Sequence, residues 1–316
     1  MRTLPRPPQA QAASNHLLLH LAILVLTLHT LHATDIPRLR IASYNLENYI
    51  LEKTASRSAK TPASRYAACQ TIALAQPDVI ALQEVGGPSA LADIQNRLNQ
   101  LRLNLPYSEI VQGYDTNIQV ALLSQFPITQ RRSHADKRFL VNNRRYRPTR
   151  GILDVEITLP SGYRFNVLAA HLKSRLNTSS SSQQEIREQE ARLLRQLVTD
   201  HLTRNPNANL VLLGDFNDTP SSLALRTLIG RGKNKLIDTR PSEQPAPTTN
   251  PHANRSIAWT HFYAREDAYT RIDYILLSPG MAREWSPTES HVVNYPNWGQ
   301  ASDHRPIIAT FTGSDR

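Results

Sequence analysis

The sequence predicts a layered α/β fold with mixed sheets, on three observations. Eight short apolar runs bounded by turn residues read as strands. Helical stretches fall between only some of them, and two neighbouring runs are joined by the hairpin-like link "TLPSGYR". A regular barrel would need a helix after every strand, so layered sheets fit better.

The first 33 of the 316 residues stand apart from this pattern. Arg2 and Arg6 open a Pro/Gln/Ala-rich lead, followed by an apolar block from Leu17 to Leu31 and then small Ala33. That order is the layout of a secretory signal. The block is short for a membrane span, and His20 and His29 inside it weaken a spanning reading further. The expectation is a signal peptide over 1–33, with an uncleaved N-terminal anchor as the alternative, and a single large domain over 34–316. Export, to the periplasm or fully secreted, follows from the signal.

Within the domain the strands are expected at Leu39 to Tyr44, Val79 to Leu82, Val120 to Leu123, Ile152 to Ile157, Phe165 to Ala170, Leu210 to Leu213, Ile272 to Leu277 and Ile307 to Phe311. A helix is expected from Ala90, and a clearer one from Ser182, where Ile186, Leu193, Leu194, Leu197 and Val198 mark one face. Ser182 is the candidate N-cap of that helix, and Glu188 can pair with Arg192. The Pro-, Asn- and Thr-rich stretch from Thr239 to Arg255 reads as a long loop. No internal repeat is visible.

One cysteine, Cys69, excludes an internal disulfide framework, so stability must come from packing. The formal charge is +10, of which Arg2 and Arg6 supply two, leaving +8 on the remainder. Such a field concentrates polyanions and speeds their encounter.

Polar groups gather at the ends of the expected strands. Asn45 and Glu47 follow "RIASY", Glu84 follows "VIALQ" and His171 follows "NVLAA"; Asp215 and Asn217 follow "VLLG". Asp273 starts "DYILL", and Asp303 and His304 precede "RPIIATF". Taken singly, each is an ordinary cap or turn residue. Their recurrence at so many strand ends fits metal-assisted phosphodiester hydrolysis, which needs a cation to neutralise transition-state charge, an orienter for water and donors for the non-bridging oxygens. A sparse oxygen set of Glu84, Glu47, Asp303 and the Asn45 amide suffices for Mg²⁺. With no His- or Cys-rich cluster at zinc spacing, Mg²⁺ or Mn²⁺ is the expected cofactor.

The blocks "IASYNLEN", "IALQEV", "AAHLKS", "LLGDFND", "RIDYILLS" and "SDHRPI" occur in an order that resembles the endonuclease/exonuclease/phosphatase superfamily, typified by deoxyribonuclease I. The resemblance covers Leu39 to Phe311. It implies a four-layer sandwich, two packed mixed sheets flanked by helices, and makes 34–316 the catalytic domain. Carried over, Glu84 resembles the principal metal-binding carboxylate, with Asn45, Glu47 and Asp303 near the metal or the phosphate. Asp215 resembles the residue that orients or deprotonates water, and Asn217 the amide that helps to fix it. His304 resembles the essential histidine beside the phosphate, with Asp273 accepting from its other ring nitrogen. Whether Asp215 or His304 is the base stays open. His171 resembles a proposed acid at the leaving oxygen, with Asp115 or Asn117 as its candidate partner.

For substrate, the run from Arg131 to Arg150 holds eight Lys/Arg against one Asp, with Phe139 and Tyr146 interleaved. It can track a phosphate backbone or be a solvated loop. Arg150, Lys173 and Arg175 are the basic residues expected nearest the site. "RIDYILL" resembles the nuclease version of its block, so nucleic acid is the expected partner and substrate, DNA or RNA, with endo- or exonucleolytic action open. A membrane enters only under the alternative, a phosphodiesterase or phosphatase acting on a phospholipid or a small phosphate ester. There Trp285 or Trp298, in a segment that reads as loop-rich, would face lipid. A non-enzymatic binding module is the remote third reading. No protein partner is implied, and a monomer is expected.

Overall fold

The computed structural model describes residues 38–175, 182–243 and 256–315. The expected signal at 1–33 and most of the expected loop after Thr239 lie outside the described residues. Helix α1 (Pro62–Ala75) lies between β1 (Leu39–Tyr49) and β2 (Val79–Val85); α2 (Pro88–Gln100), β3 (Tyr107–Val111), β4 (Gln119–Ser124) and β5 (Ile128–Arg131) follow. A small hairpin, β6 (Phe139–Val141) and β7 (Arg144–Tyr146), precedes β8 (Ile152–Thr158), β9 (Arg164–His171), α3 (Ser182–Arg204), β10 (Leu210–Asp215) and α4 (Leu223–Ile229). Then come β11 (Ile237–Asp238) and a second hairpin, β12 (His261–Tyr263) and β13 (Ala268–Thr270). The chain ends with β14 (Asp273–Leu277), α5 (Pro279–Ala282), β15 (Trp285–Val292), α6 (Trp298–Ala301) and β16 (Ile307–Phe311).

Two six-stranded sheets result, in orders β15-β16-β1-β2-β4-β3 and β11-β14-β10-β9-β8-β5. Both are mixed: β1 runs parallel to β2 and β9 to β10, and the other pairings are antiparallel. Side chains alternate across a strand, which divides each sequence run between two apolar layers. In β1, Leu39 and Ile41 enter the core between the sheets, while Ala42, Tyr44 and Leu46 pack outward with α1 and α2. In β10, Val211 and Leu213 face inward, and Leu210 and Leu212 pack outward with α3 and α4. Helices, sheet, sheet and helices therefore form four layers. Each fully buried Leu or Ile contributes roughly 1.5–3 kcal/mol to holding them together.

All eight expected strands are present, and the departures have physical causes. Strand β1 runs past Tyr44 to Tyr49: its pairing with β2 breaks after Asn45 and resumes at Tyr49 opposite Val85. Glu47 and Asn48, at φ 47° and 57°, occupy the bulge, so polar residues that look like a strand's end are its kink. The stretch read as loop-rich at Trp285 is the edge strand β15, whose Pro287 and polar residues suit an edge that need not donate on both sides. Helix α1 has no strong apolar stripe because its buried face is largely Ala67, Ala68, Cys69 and Ala75. Thr61 caps it, accepting from Ser64 N at 3.1 Å. Along α3, Ile186, Leu194, Leu197 and Val198 are buried as expected and Leu193 packs at the margin. Glu188 accepts from Gln184 rather than pairing with Arg192.

Candidate active site

Strand parity builds the site. Asn45 is two residues beyond Ser43 and four beyond inward-facing Ile41; Asp215 follows Leu213 by two, and His171 follows Ala169 by two. Asp273 precedes Ile275 by two. All four therefore sit on inner faces, at the strand ends where the apolar core stops. Pairing aligns Asp215 with both neighbours, His171 on β9 and Asp273 on β14. Asn45 closes the set from the opposite sheet, donating from Nδ2 to Asp215 Oδ2 at 3.0 Å and to Glu84 Oε1 at 3.3 Å.

Gly214 lets the strands come this close. At φ 138°, a Cβ there would stand 1.9 Å from the carbonyl oxygen of Ala170 on β9. The close approach it permits is that of the neighbouring strand.

His304 is buried, with Nδ1 2.9 Å from Asp273 Oδ2 and Nε2 3.8 Å from Asp215 Oδ2. Burial opposes a charge on its ring, but Asp273, Asp215 and Asp303 outweigh it and push the pKa up to about 10. Burial and then Asp273 push the carboxyl of Asp215 upward. His171 behaves oppositely: burial, then Arg150 and His304, hold it well below its ordinary value. It is a neutral ring, with Nε2 3.4 Å from Asp215 Oδ2 and Nδ1 without a hydrogen-bond partner among the described residues. Neither Asp115 nor Asn117 is that partner, because Asp115 instead accepts from Arg57 and from Asn117.

Around this core, Asn217 sits at φ 52°, its N–H donating to Asp215 Oδ1 at 2.8 Å and its Nδ2 to Leu172 O at 3.1 Å. Glu84, itself at φ 63°, accepts from Asn48 N at 2.8 Å and from Asn45 Nδ2 at 3.3 Å, so the kinked end of β1 donates twice to one carboxylate. Glu47 keeps part of its side chain in solvent, and its carboxyl is raised by the partial desolvation the surrounding groups impose and then by Asp303 and Glu84. Lys60 Nζ lies 3.8 Å from Glu47 Oε2 and feels Glu47, Asp303 and Glu84 together. Three carboxylates, of Glu47, Asp303 and Glu84, gathered within the field of one ammonium are a donor set that fits a hard divalent cation. Carboxylate and imidazole atoms of Asp215, Asp273 and His304, and of His261, Asp303 and His304, also lie within 4.8 Å of one another in each group.

Arg150 is buried, donates to Leu172 O at 3.3 Å and leaves its Nε without a partner among the described residues. Lys173 is half-buried near Arg150, whereas Arg175 is exposed with no contact to the site among the described residues. Glu190 of α3 accepts from Thr149 N and Lys173 N, each at 2.7 Å, and so ties the two basic loops to one helix.

Several positioning residues were not anticipated. Thr260 Oγ1 accepts from Asp273 N, and Thr260 O from Arg305 N, which locks Asp273 beside the loop bearing His304. Ser302 accepts from His304 N and donates to Asn45 O. Ser302 stood in the quoted "SDHRPI" block, whereas Thr260, His261 and Lys60 lie in stretches with no sequence signal. Trp298, half-buried, packs edge-on against Trp259 and Phe262, and half-buried Trp285 donates to Ser290 Oγ.

The endonuclease/exonuclease/phosphatase family matches residues 42–304. No curated protein matches the sequence. Among solved structures, the catalytic domain of human Nocturnin with bound sulfate is similar at TM-score 0.61 and 16% identity, covering 89% of this chain and 95% of that one. Sphingomyelinase C from Streptomyces griseocarneus is similar at TM-score 0.58 and 18% identity, covering 87% and 99%. A family protein from Bacteroides thetaiotaomicron is similar at TM-score 0.58 and 18% identity, covering 87% and 95%. At these identities the likeness is one of fold.

Proposed function

Because the chain belongs to the endonuclease/exonuclease/phosphatase family, we propose that it is an exported, Mg²⁺- or Mn²⁺-dependent phosphodiesterase whose substrate is nucleic acid. The observation that carries the chemistry is the buried array in which Asp273 holds His304 Nδ1 while His304 Nε2 and Asn45 Nδ2 converge on Asp215 Oδ2. Glu84, Glu47, Asp303 and the Asn45 amide would hold the cation. When bound, it supplies positive charge to the phosphoryl oxygens in the transition state.

In this reading His304 keeps its proton near neutral pH and presents a cation to the scissile phosphate. Asp215, with its raised pKa, accepts the proton of the attacking water, since a base works best with a pKa near the working pH. Asn217 fixes the orientation of Asp215 through its N–H. His171, as a neutral ring, would donate a hydrogen bond to the leaving oxygen, which takes its proton from solvent water. Arg150 and Lys173 bind non-bridging oxygens. The packed contacts of Trp285 and Trp298 favour nucleic acid over a lipid surface, and the charge of +8 beyond the signal favours a polyanion.

The test is cleavage of supercoiled plasmid and of a ribooligonucleotide by the chain lacking residues 1–33, with Mg²⁺ and with EDTA, beside Asp215→Ala. Metal-dependent cleavage absent from the variant is expected. Failure on both nucleic acids, with retained hydrolysis of sphingomyelin or a small phosphodiester, would overturn the substrate. N-terminal sequencing of exported protein tests the signal.

A further inference from the structure

The basic run from Arg131 to Arg150 is not a solvated loop throughout. Its centre is the β6–β7 hairpin, in which Phe139 pairs with Tyr146, Leu140 with Arg145 and Val141 with Arg144. Asn142 and Asn143, at φ 48° and 60°, make the two-residue turn that a tight hairpin demands. The rings of Phe139 and Tyr146 stack at 6.2 Å and 14°, Val141 is buried, and Asn142 Nδ2 donates to Glu185 Oε2 of α3 at 2.8 Å. The hairpin is thus a built projection rather than a loose arm.

Beside it lies a cavity of about 220 Å³ lined by Arg138, Arg145, Tyr146 and Arg147. Arg147 pairs with Asp136 at 3.1 Å, but that carboxylate is 85% exposed. Arg138 and Arg145 have no ion pair among the described residues. Three exposed arginines lining one small open cavity make a positively charged spot that an anion would neutralise, and guanidinium is the donor that grips phosphate in bidentate fashion. At roughly 30 Å³ per water, the space accepts a phosphate with its sugar, and Tyr146 offers the flat apolar wall.

We propose that this cavity is a second, non-catalytic phosphate-binding site that holds the nucleic-acid strand away from the bond being cut. The proposal rests on the nuclease reading above. Tyr146 is four residues from Arg150, so the cavity lies within about 14 Å of the basic edge of the active site along the chain. That corresponds to at most about four nucleotide steps of 3.4 Å. A membrane is disfavoured as occupant, since the aromatic rings are stacked on each other and Leu140, 59% exposed, is the hairpin's one outward apolar side chain.

The experiment compares wild type with the triple variant Arg138→Ala/Arg145→Ala/Arg147→Ala, and with Arg145→Glu alone as a minimal charge change, on three substrates. These are bis(p-nitrophenyl) phosphate, a dinucleotide and a twelve-nucleotide strand. Expected are unchanged kinetics on the two short substrates and a KM on the long one raised about tenfold, with kcat retained. The dependence of log KM on log salt should become shallower by about two. An unchanged KM and salt slope on the long strand would overturn the proposal. So would an equal loss on the dinucleotide, or an effect confined to phosphatidylserine vesicle binding. If wild type hydrolyses the small ester but no nucleic acid, the nuclease reading falls. The cavity is then judged by anisotropy of a labelled twelve-mer in EDTA, where equal affinity of wild type and triple variant would overturn it.

Discussion

Asn45 of one sheet and Asp215 of the other meet across the sandwich at 3.0 Å, and the amide that spans the gap also reaches Glu84. The site is therefore shared between two layers whose contacts through the central core are largely apolar. Asn45→Ala leaves both sheets intact but removes the link between the carboxylate read as metal ligand and the one read as base. We expect kcat to fall by about 10²–10³ with a nearly unchanged melting temperature. Steady-state kinetics with a thermal scan decide it, and wild-type turnover would remove Asn45 from the machinery.

Asp273 sets the state of His304. With Asp273→Asn, the histidine loses its nearest anion, and its pKa should drop from about 10 toward or below the ordinary value. NMR titration of the ring in metal-free protein reads this directly, and kcat should fall by about 10³–10⁴ with it. The linkage has a definite sign. Because the folded pKa is raised, its stabilisation is complete below about pH 6.5 and is lost as pH climbs toward 10, so wild type should lose stability across that window relative to the variant. Parallel pH–stability curves would contradict the pairing.

Gly214→Ala places a methyl group 1.9 Å from a backbone carbonyl and forces a residue with a side chain to φ 138°. On the order of 3 kcal/mol or more of stability should be lost, because backbone rather than a movable side chain is in the way. Urea unfolding measures it, and a loss below 1 kcal/mol would mean that β9 and β10 separate easily.

Asp154 is a purely structural test. Buried on the α3 side of β8, it accepts from Arg132 at 3.1 Å and lies 3.0 Å from His201 Nε2 and 3.4 Å from His134 Nε2. Burial alone would raise its carboxyl, but the two histidines, with Arg132, hold it well below the usual range. The stability it contributes is present above about pH 4 and is lost as pH falls through the lowered folded value. Asp154→Asn should cost about 3 kcal/mol at pH 7, and the difference from wild type should shrink progressively below pH 4. A pH-independent difference would show that shape, not charge, is what the aspartate provides.

The sequence makes the inward half of this molecule legible because the runs of β1, β9 and β10 stop at Asn45, His171 and Asp215, and that of β14 starts at Asp273. The same parity that sorts Val211 from Leu212 assigns Asp215 its face. What was hidden has local polarity working against it. Pro287 disguises an edge strand, alanines blunt the stripe of α1, and the bulge at Glu47 mimics a terminus. Thr260, His261 and Lys60 were illegible for another reason: their value comes from what distant segments bring beside them, and no spacing within their own stretch encodes that. Arg175 shows the converse, a basic residue next to a motif whose exposed side chain has no described contact with the site.

Around Asn45 and Asp215 the gap between the sheets is filled by apolar side chains, and another directional tie between β-strands of the two sheets is distant, where Arg131 of β5 donates to Glu109 of β3 at 3.0 Å. Dispersion has no preferred direction, so alignment at the site rests on the few directional contacts made there. The active site acts as a vernier on that alignment. A sub-ångström slide of one sheet, too small to register in a melting curve, would open a 3.0 Å hydrogen bond and silence the enzyme while it remains folded.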